Sequence, residues 1–194
     1  MKNKKPIELP TIEELEAEIN RKKHKQNQHH LMRNAIYVLI VVAAVTSLVS
    51  IFFVRALKTF GSSMTPTLED GDIVAVYLTD KAEPGQLVAF YFNNKLIIKR
   101  VIALGGSVVD MDEAGNVSVD GLPLEEPYLT EKALGDVSVE FPFTVPDGQY
   151  FVLGDNRITS TDSRSSIIGC VDPDNMLGRV VFKVWPPKEF GSIR

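Results

Sequence analysis

The sequence predicts a mainly β protein, with an antiparallel-sheet core and a smaller inserted β lobe, preceded by one N-terminal transmembrane helix and a helical arm. Three observations predict it. Short β-rich runs (DIVAVYL, QLVAFYF, KLIIKRVIAL, NVSVDG, YFVLGD and GRVVFKVW) follow one another after residue 60, separated by Gly, Pro, Asp and Asn. No long amphipathic helical pattern competes with them there. Ahead of them lies NAIYVLIVVAAVTSLVSIFFV, residues 34–54, in which twenty uncharged residues follow Asn34.

The first element is a helical arm over residues 11–33. Thr11 and Glu14 stand at capping-box spacing, and Ile12, Leu15 and Ile19 recur at helical intervals. Its Lys/His/Gln-rich later part reads as a topology signal or as a contact for anionic headgroups. The second element, 34–54, reaches roughly 30 Å at about 1.5 Å per helical residue, one hydrocarbon core. A cleaved leader has a short positive start and an apolar run of about 7–15 residues. Here 34 residues precede an apolar run of 20, and an uncleaved anchor fits better. Arg21, Lys22, Lys23, Lys25 and Arg33 lie before the span and only Arg55 and Lys58 soon after it, so residues 1–33 are assigned to the cytoplasm and 55–194 to the outside. Within 55–194, the acid- and turn-rich stretch of about 105–145 contains the hairpin-like VVDMDEAGNVSVDG and reads as the smaller inserted lobe.

Charge and composition exclude several function classes. The formal net charge is -4, but residues 35–194 carry 13 Lys/Arg against 20 Asp/Glu, which argues against nucleic acid as a partner of the larger part. The lone cysteine, Cys170, leaves the exterior part without an internal disulfide, and it reads as a small apolar residue beside Gly169 and Val171. His24, His29 and His30 all precede the span. A Ser-His-Asp triad, Cys-His chemistry and imidazole-ligated zinc are therefore excluded from the exterior part.

A nucleophilic serine there needs another base, and an amine serves when burial lowers its pKa by about 2–3 units. Lys58, Lys81, Lys132 and Lys188 stand among polar or turn residues. Lys99, in LIIKRVIAL, shares a strand face with Ile97, Val101 and Ala103 by period-two alternation. It reads equally well as a general base or as an edge-strand lysine whose stem packs while its amine reaches water. Lys183, in VVFKVWP, has the same alternation and serves as an internal control. Ser63, in FGSSMTPTLEDGDIVAV, is a nucleophile or simply a serine before a turn.

Three ordered segments separate these alternatives. SMTPTL at 63–68, IIKRVIAL at 97–104 and GDNRITSTDSR at 154–164 resemble the serine, lysine and acidic-loop signatures of the bacterial type I signal peptidases, behind the same kind of anchor. GRVVFKVWP at 178–186 resembles that family's closing strand, and the likeness covers about residues 34–187. The resemblance implies a mostly β fold with a catalytic core and a second lobe. It also implies a membrane-anchored serine endopeptidase that removes N-terminal signal peptides from exported preproteins through an acyl-enzyme. Residue by residue, it implies Ser63 as nucleophile, Lys99 as general base, and Ser160 as a hydroxyl that hydrogen-bonds and orients the lysine amine. Asp162 and Arg164 match largely structural loop residues, Arg100 and Asp155 match charges that hold the site together, and Met64 matches a residue close to the substrate.

A carboxylate touching Lys99 would raise its pKa, so Asp162 is expected to face Arg164 or a backbone amide. Gly61 departs from members that have a serine two residues before the nucleophile, whose hydroxyl joins the oxyanion hole. GGS at 105–107 departs from the frequent Pro-Gly-Asp. Only eight residues separate Val54 from Ser63, which keeps the nucleophile near the membrane surface. The expected partners are signal peptides and the lipid bilayer, the expected unit is a monomer, and neither a metal nor an organic cofactor is called for. The rivals are a dedicated pilin-type peptidase, a Ser-Lys self-cleaving repressor, which the span opposes, and a non-catalytic assembly factor.

Overall fold

The computed structural model describes residues 12–193. Thr11, and with it the expected capping box to Glu14, lies outside the described residues. The chain divides into two compact units between Phe52 and Phe53.

The described residues of the first unit lie in a single helix, α1 (Ile12–Phe53), so the arm from Ile12 and the apolar run form one continuous element. Its Arg21–Phe53 portion is long and apolar enough to cross a bilayer, with a mean hydropathy of 2.7 over its most apolar window, and none of that window is buried in the protein. Thr46 and Ser50 return their hydroxyls to the carbonyls of Val42 and Thr46, so neither leaves an unpaired donor on an apolar surface.

The second unit is built on antiparallel strands. In chain order these are β1 (Val54–Lys58), β2 (Ile73–Leu78), β3 (Leu87–Phe92), β4 (Lys95–Leu104), β5 (Val108–Met111), β6 (Val117–Val119), β7 (Leu122–Pro123), β8 (Phe143–Thr144), β9 (Tyr150–Leu153), β10 (Met176–Trp185) and β11 (Gly191–Ser192). One sheet runs β1-β2-β10-β3-β4-β9 with β11 added to β10, and a second, smaller one runs β7-β6-β5-β8. The mainly β fold expected from the spaced apolar runs is the fold observed. Val54 opens β1 and does not end the helix.

The β3–β4 hairpin turns at Asn93 and Asn94, both at positive φ, and pairs Val88 with Lys99. β4 continues onto β9 from Arg100, so residues 95–99 are paired on the β3 side only. A bulge falls between Val101 and Ala103. Ile97 and Val101 pack with Val88, Phe90 and Val152, whereas Ala103 packs with Ile102 and Phe151 against Val109 and Val117 of the small sheet. Ala103 thus departs from the face expected of it, because the extra residue of a bulge resets the alternation. Cys170 is half-buried against that second cluster, where burial pushes its thiol pKa up to about 11.

Candidate active site

Lys99 reaches its place because β4 enters the core at that residue: Lys95 is exposed, whereas Lys99 and Arg100 are only 2% and 1% exposed. The turn after β1 brings Ser63 across, held by Met64 and Leu68, which are buried among Val74, Val76, Leu87 and Ala89. Lys99 Nζ lies 2.8 Å from Ser63 Oγ, its one hydrogen-bonding partner among the described residues. Burial lowers the Lys99 pKa from 10.5 to about 8, opposed by the charge of Asp162, helped by that of Arg164 and opposed again by Asp155. A neutral amine at this distance has a lone pair within reach of the serine proton. The Ser63 backbone N–H makes no hydrogen bond among the described residues and is free to face a developing oxyanion. Gly61 sits at φ +82° with its N–H donated to Asp70 Oδ1 at 2.8 Å, a conformation that disfavours any side chain, including the serine hydroxyl of other members.

The loop at 154–164 is stitched to the nucleophile turn. Asn156 donates its backbone N–H to the Ser63 carbonyl at 3.1 Å and its side-chain amide to Thr65 Oγ1 at 3.0 Å, and Thr67 Oγ1 donates to Asp155 Oδ2. Gly154 is pressed so closely between the Ser63 carbonyl and the Ser160 side chain that a Cβ would overlap both. Asp155 receives both arms of Arg100, at 2.9 and 2.6 Å, while Arg100 also reaches the Gly85 carbonyl at 2.7 Å. Asp162 faces Arg164, at 2.8 Å through each oxygen, and the Gly154 amide, at 3.0 Å, the orientation expected of it. Burial alone would raise its carboxyl pKa, but Arg164 above all, with the Gly154 amide and the nearby Ser160 hydroxyl, holds it below the usual carboxylate range.

Ser160 is buried beside Gly154, and its hydroxyl lies near the Asp162 carboxylate. Among the described residues, the hydrogen bond of Lys99 goes to Ser63 and none joins it to Ser160.

Sequence reasoning passed over Glu126, Tyr128 and Arg157. Arg157 is paired with Glu126 with both side chains wholly buried, and its Nε donates to the Gly154 carbonyl at 3.2 Å. Tyr128 lies with its ring 3.9 Å from the Arg100 guanidinium carbon, and its hydroxyl donates to Glu126 at 3.1 Å. The stretch 126–139, outside any strand of the large sheet, thereby supports the site from below. Arg164 binds the Leu134 carbonyl at 2.6 Å, and the Ser138 amide returns to the Arg164 carbonyl at 2.9 Å. Lys183, the control, shows the opposite fate to Lys99. Burial works against its charge, but Asp72 at 2.8 Å and Glu189 at 2.7 Å outweigh it and raise its pKa.

Ser63 and Lys99 open on a groove of about 880 Å³ whose walls include Leu57, Phe60, Ile97 and Ile168. With that geometry in hand, comparison with known proteins gives consistent results. Residues 31–185 match the family described as signal peptidase, peptidase S26. The chain is 35% identical over 175 residues to signal peptidase IB of Staphylococcus aureus, covering 80% of this chain and 90% of that one. It is also 35% identical over 170 residues to a probable signal peptidase I-1 of Synechocystis, covering 80% and 84%. A solved signal peptidase I from Enterococcus faecalis is 29% identical, with a TM-score of 0.43, over 53% of this chain and 98% of that one.

Proposed function

The chain belongs to the signal peptidase S26 family, and from that premise we propose that it is a serine endopeptidase that removes the signal peptides of preproteins with Ser63 as nucleophile and Lys99 as general base. One observation carries the assignment of roles: a buried amine whose pKa falls to about 8 lies 2.8 Å from a serine hydroxyl at the floor of a groove. A tethered scaffold has no use for a desolvated lysine.

Lys99 Nζ takes the Ser63 proton as Oγ bonds to the scissile carbonyl carbon, and the oxyanion turns to the Ser63 backbone N–H. The C–N bond then breaks, the ammonium of Lys99 returns its proton to the departing amine, and the mature protein leaves. The signal peptide stays esterified to Ser63. Water gives a proton to the same amine and attacks the ester, and the signal peptide departs as a carboxylate while Ser63 is reprotonated. Met64 holds the turn from beneath, and the Arg100–Asp155 and Arg164–Asp162 pairs fix the loop that backs it.

Residues 95–99 of β4 are unpaired on the side away from β3, and an extended substrate fits beside such an edge. The helix anchors the enzyme, and the excess of positive charge ahead of it favours residues 1–33 inside and 55–194, with the smaller lobe at about 105–145, outside. The working unit is a monomer at the bilayer surface.

The test is cleavage of a preprotein by the purified full chain. Ser63→Ala and Lys99→Ala are expected to abolish it, and cleavage surviving in either overturns that residue's role.

A further inference from the structure

The groove carries a charge opposite to that of the domain around it. Residues 55–194 carry 13 basic and 20 acidic side chains, a formal -7. Yet among the described residues the only charged side chains lining the groove are lysines: Lys99 at its floor, Lys58 at the end of β1, and Lys95 at the start of β4. The acids of the nucleophile turn, Glu69 and Asp70, lie outside the lining, and Asp70 is engaged by the Gly61 amide. Away from the groove, the buried cations of this unit have acidic partners: Arg100, Arg157, Arg164 and Lys183 are all in ion pairs. Lys58 and Lys95 are exposed and in no ion pair among the described residues, and the Lys58 ammonium rests only over the Phe60 ring, 5.8 Å from its centroid.

Two uncompensated cations on apolar walls select among peptides by charge. An acidic side chain gains a partner, and a basic one meets repulsion with no acid to relieve it. Lys95 lies four residues from Lys99, about 13 Å along an extended strand, so it meets substrate some four residues from the scissile bond. Building on the function proposed above, we propose that Lys58 and Lys95 are specificity-determining residues that favour preproteins with an acidic side chain within about four residues of the cleaved bond. Lysine at the same place is disfavoured. The Asn93–Asn94 turn supports this geometry, since it fixes where β4 begins and so where Lys95 enters the groove.

The experiment uses the full chain in uncharged detergent and preproteins that differ only in carrying Glu, Gln or Lys four residues from the scissile bond, on each side in turn. The readout is the ratio of kcat/KM for the Glu and Lys substrates, which a general loss of activity does not move. For the wild type we expect a ratio of about three to ten on one side, shrinking as salt is raised. The Lys58→Glu/Lys95→Glu double variant should invert the order. A wild-type ratio near one on both sides, or the same ratio in the double variant, overturns the proposal. So does a double variant whose only defect is slower cleavage of all three substrates in vesicles containing anionic lipid, since the lysines would then serve the headgroups. Failure of the catalytic assignment is read separately, from cleavage persisting in Ser63→Ala.

Discussion

Replacing the proposed base should make the fold more stable while destroying its activity. Lys99 has a pKa of 10.5 as a free side chain and about 8 in the fold. Below pH 8 both states carry the proton and the folded state bears the full cost of burying the charge, about 3 kcal/mol for a fall of that size. Between pH 8 and 10.5 the folded protein has released a proton that the unfolded chain still binds, so the cost fades with rising pH. Above 10.5 it is gone. Lys99→Met keeps most of the packing volume and removes the charge, at the expense of the Ser63 hydrogen bond, worth about 1 kcal/mol. The net gain at pH 6.5 is about 2–3 kcal/mol, or about 4–12 °C in Tm for a chain of this size. Denaturation of the full chain in detergent, followed by circular dichroism at pH 6.5 and 9.5, measures it. The gain should at least halve at the higher pH. A variant less stable than wild type at pH 6.5, or a gain that does not change with pH, would refute the claim that Lys99 is held in a dry site at a cost.

Three further outcomes follow from the same geometry. The neutral amine is the active form, so kcat/KM should rise about tenfold per pH unit below pH 8 and level off above it, in a pH–rate profile on a fixed preprotein. Gly154→Ala should abolish cleavage while leaving the circular dichroism spectrum intact, because the new Cβ must displace the Ser63 carbonyl or the Ser160 side chain. Lys183→Met should retain turnover but lose about 1–3 kcal/mol of stability in chemical denaturation, since Asp72 and Glu189 lose a charged partner.

How far the site was legible in the sequence depends on what each residue's environment is made of. Lys99 could be read because strand neighbours four residues or fewer away supply its dry surroundings: Ile97, Ile98 and Val101 are written beside it. Lys183 has the same local pattern and a different fate, because Asp72 comes from 111 residues earlier and Glu189 from beyond two prolines. Alternation reports burial and is silent about the ions that burial brings together. Glu126 was illegible for the same reason. In an acid-rich stretch it looks like a solvated charge, and only the return of the chain to Arg157 encloses it. The bulge that moves Ala103 off the expected face is likewise set by pairing across strands.

These distant pairs explain how a loop rich in carboxylates can sit behind a lysine that must lose its proton. Asp155 and Asp162 both push the Lys99 pKa upward, and left unpaired they would hold the amine protonated in the working range of pH. Each is instead engaged by a buried arginine in two hydrogen bonds. With the acids neutralised in pairs, and the Arg164 charge itself counting against protonation, desolvation is left as the dominant influence on the amine. Arg100 and Arg164 therefore do more than brace the loop: they let two carboxylates supply rigidity around the nucleophile while limiting the negative field that would switch the base off. Exchanging Arg164 or Arg100 for an apolar residue of similar size should cost both stability, by about 3–5 kcal/mol, and the low pKa on which the pH–rate profile rests, because Asp162 or Asp155 would lose its partner.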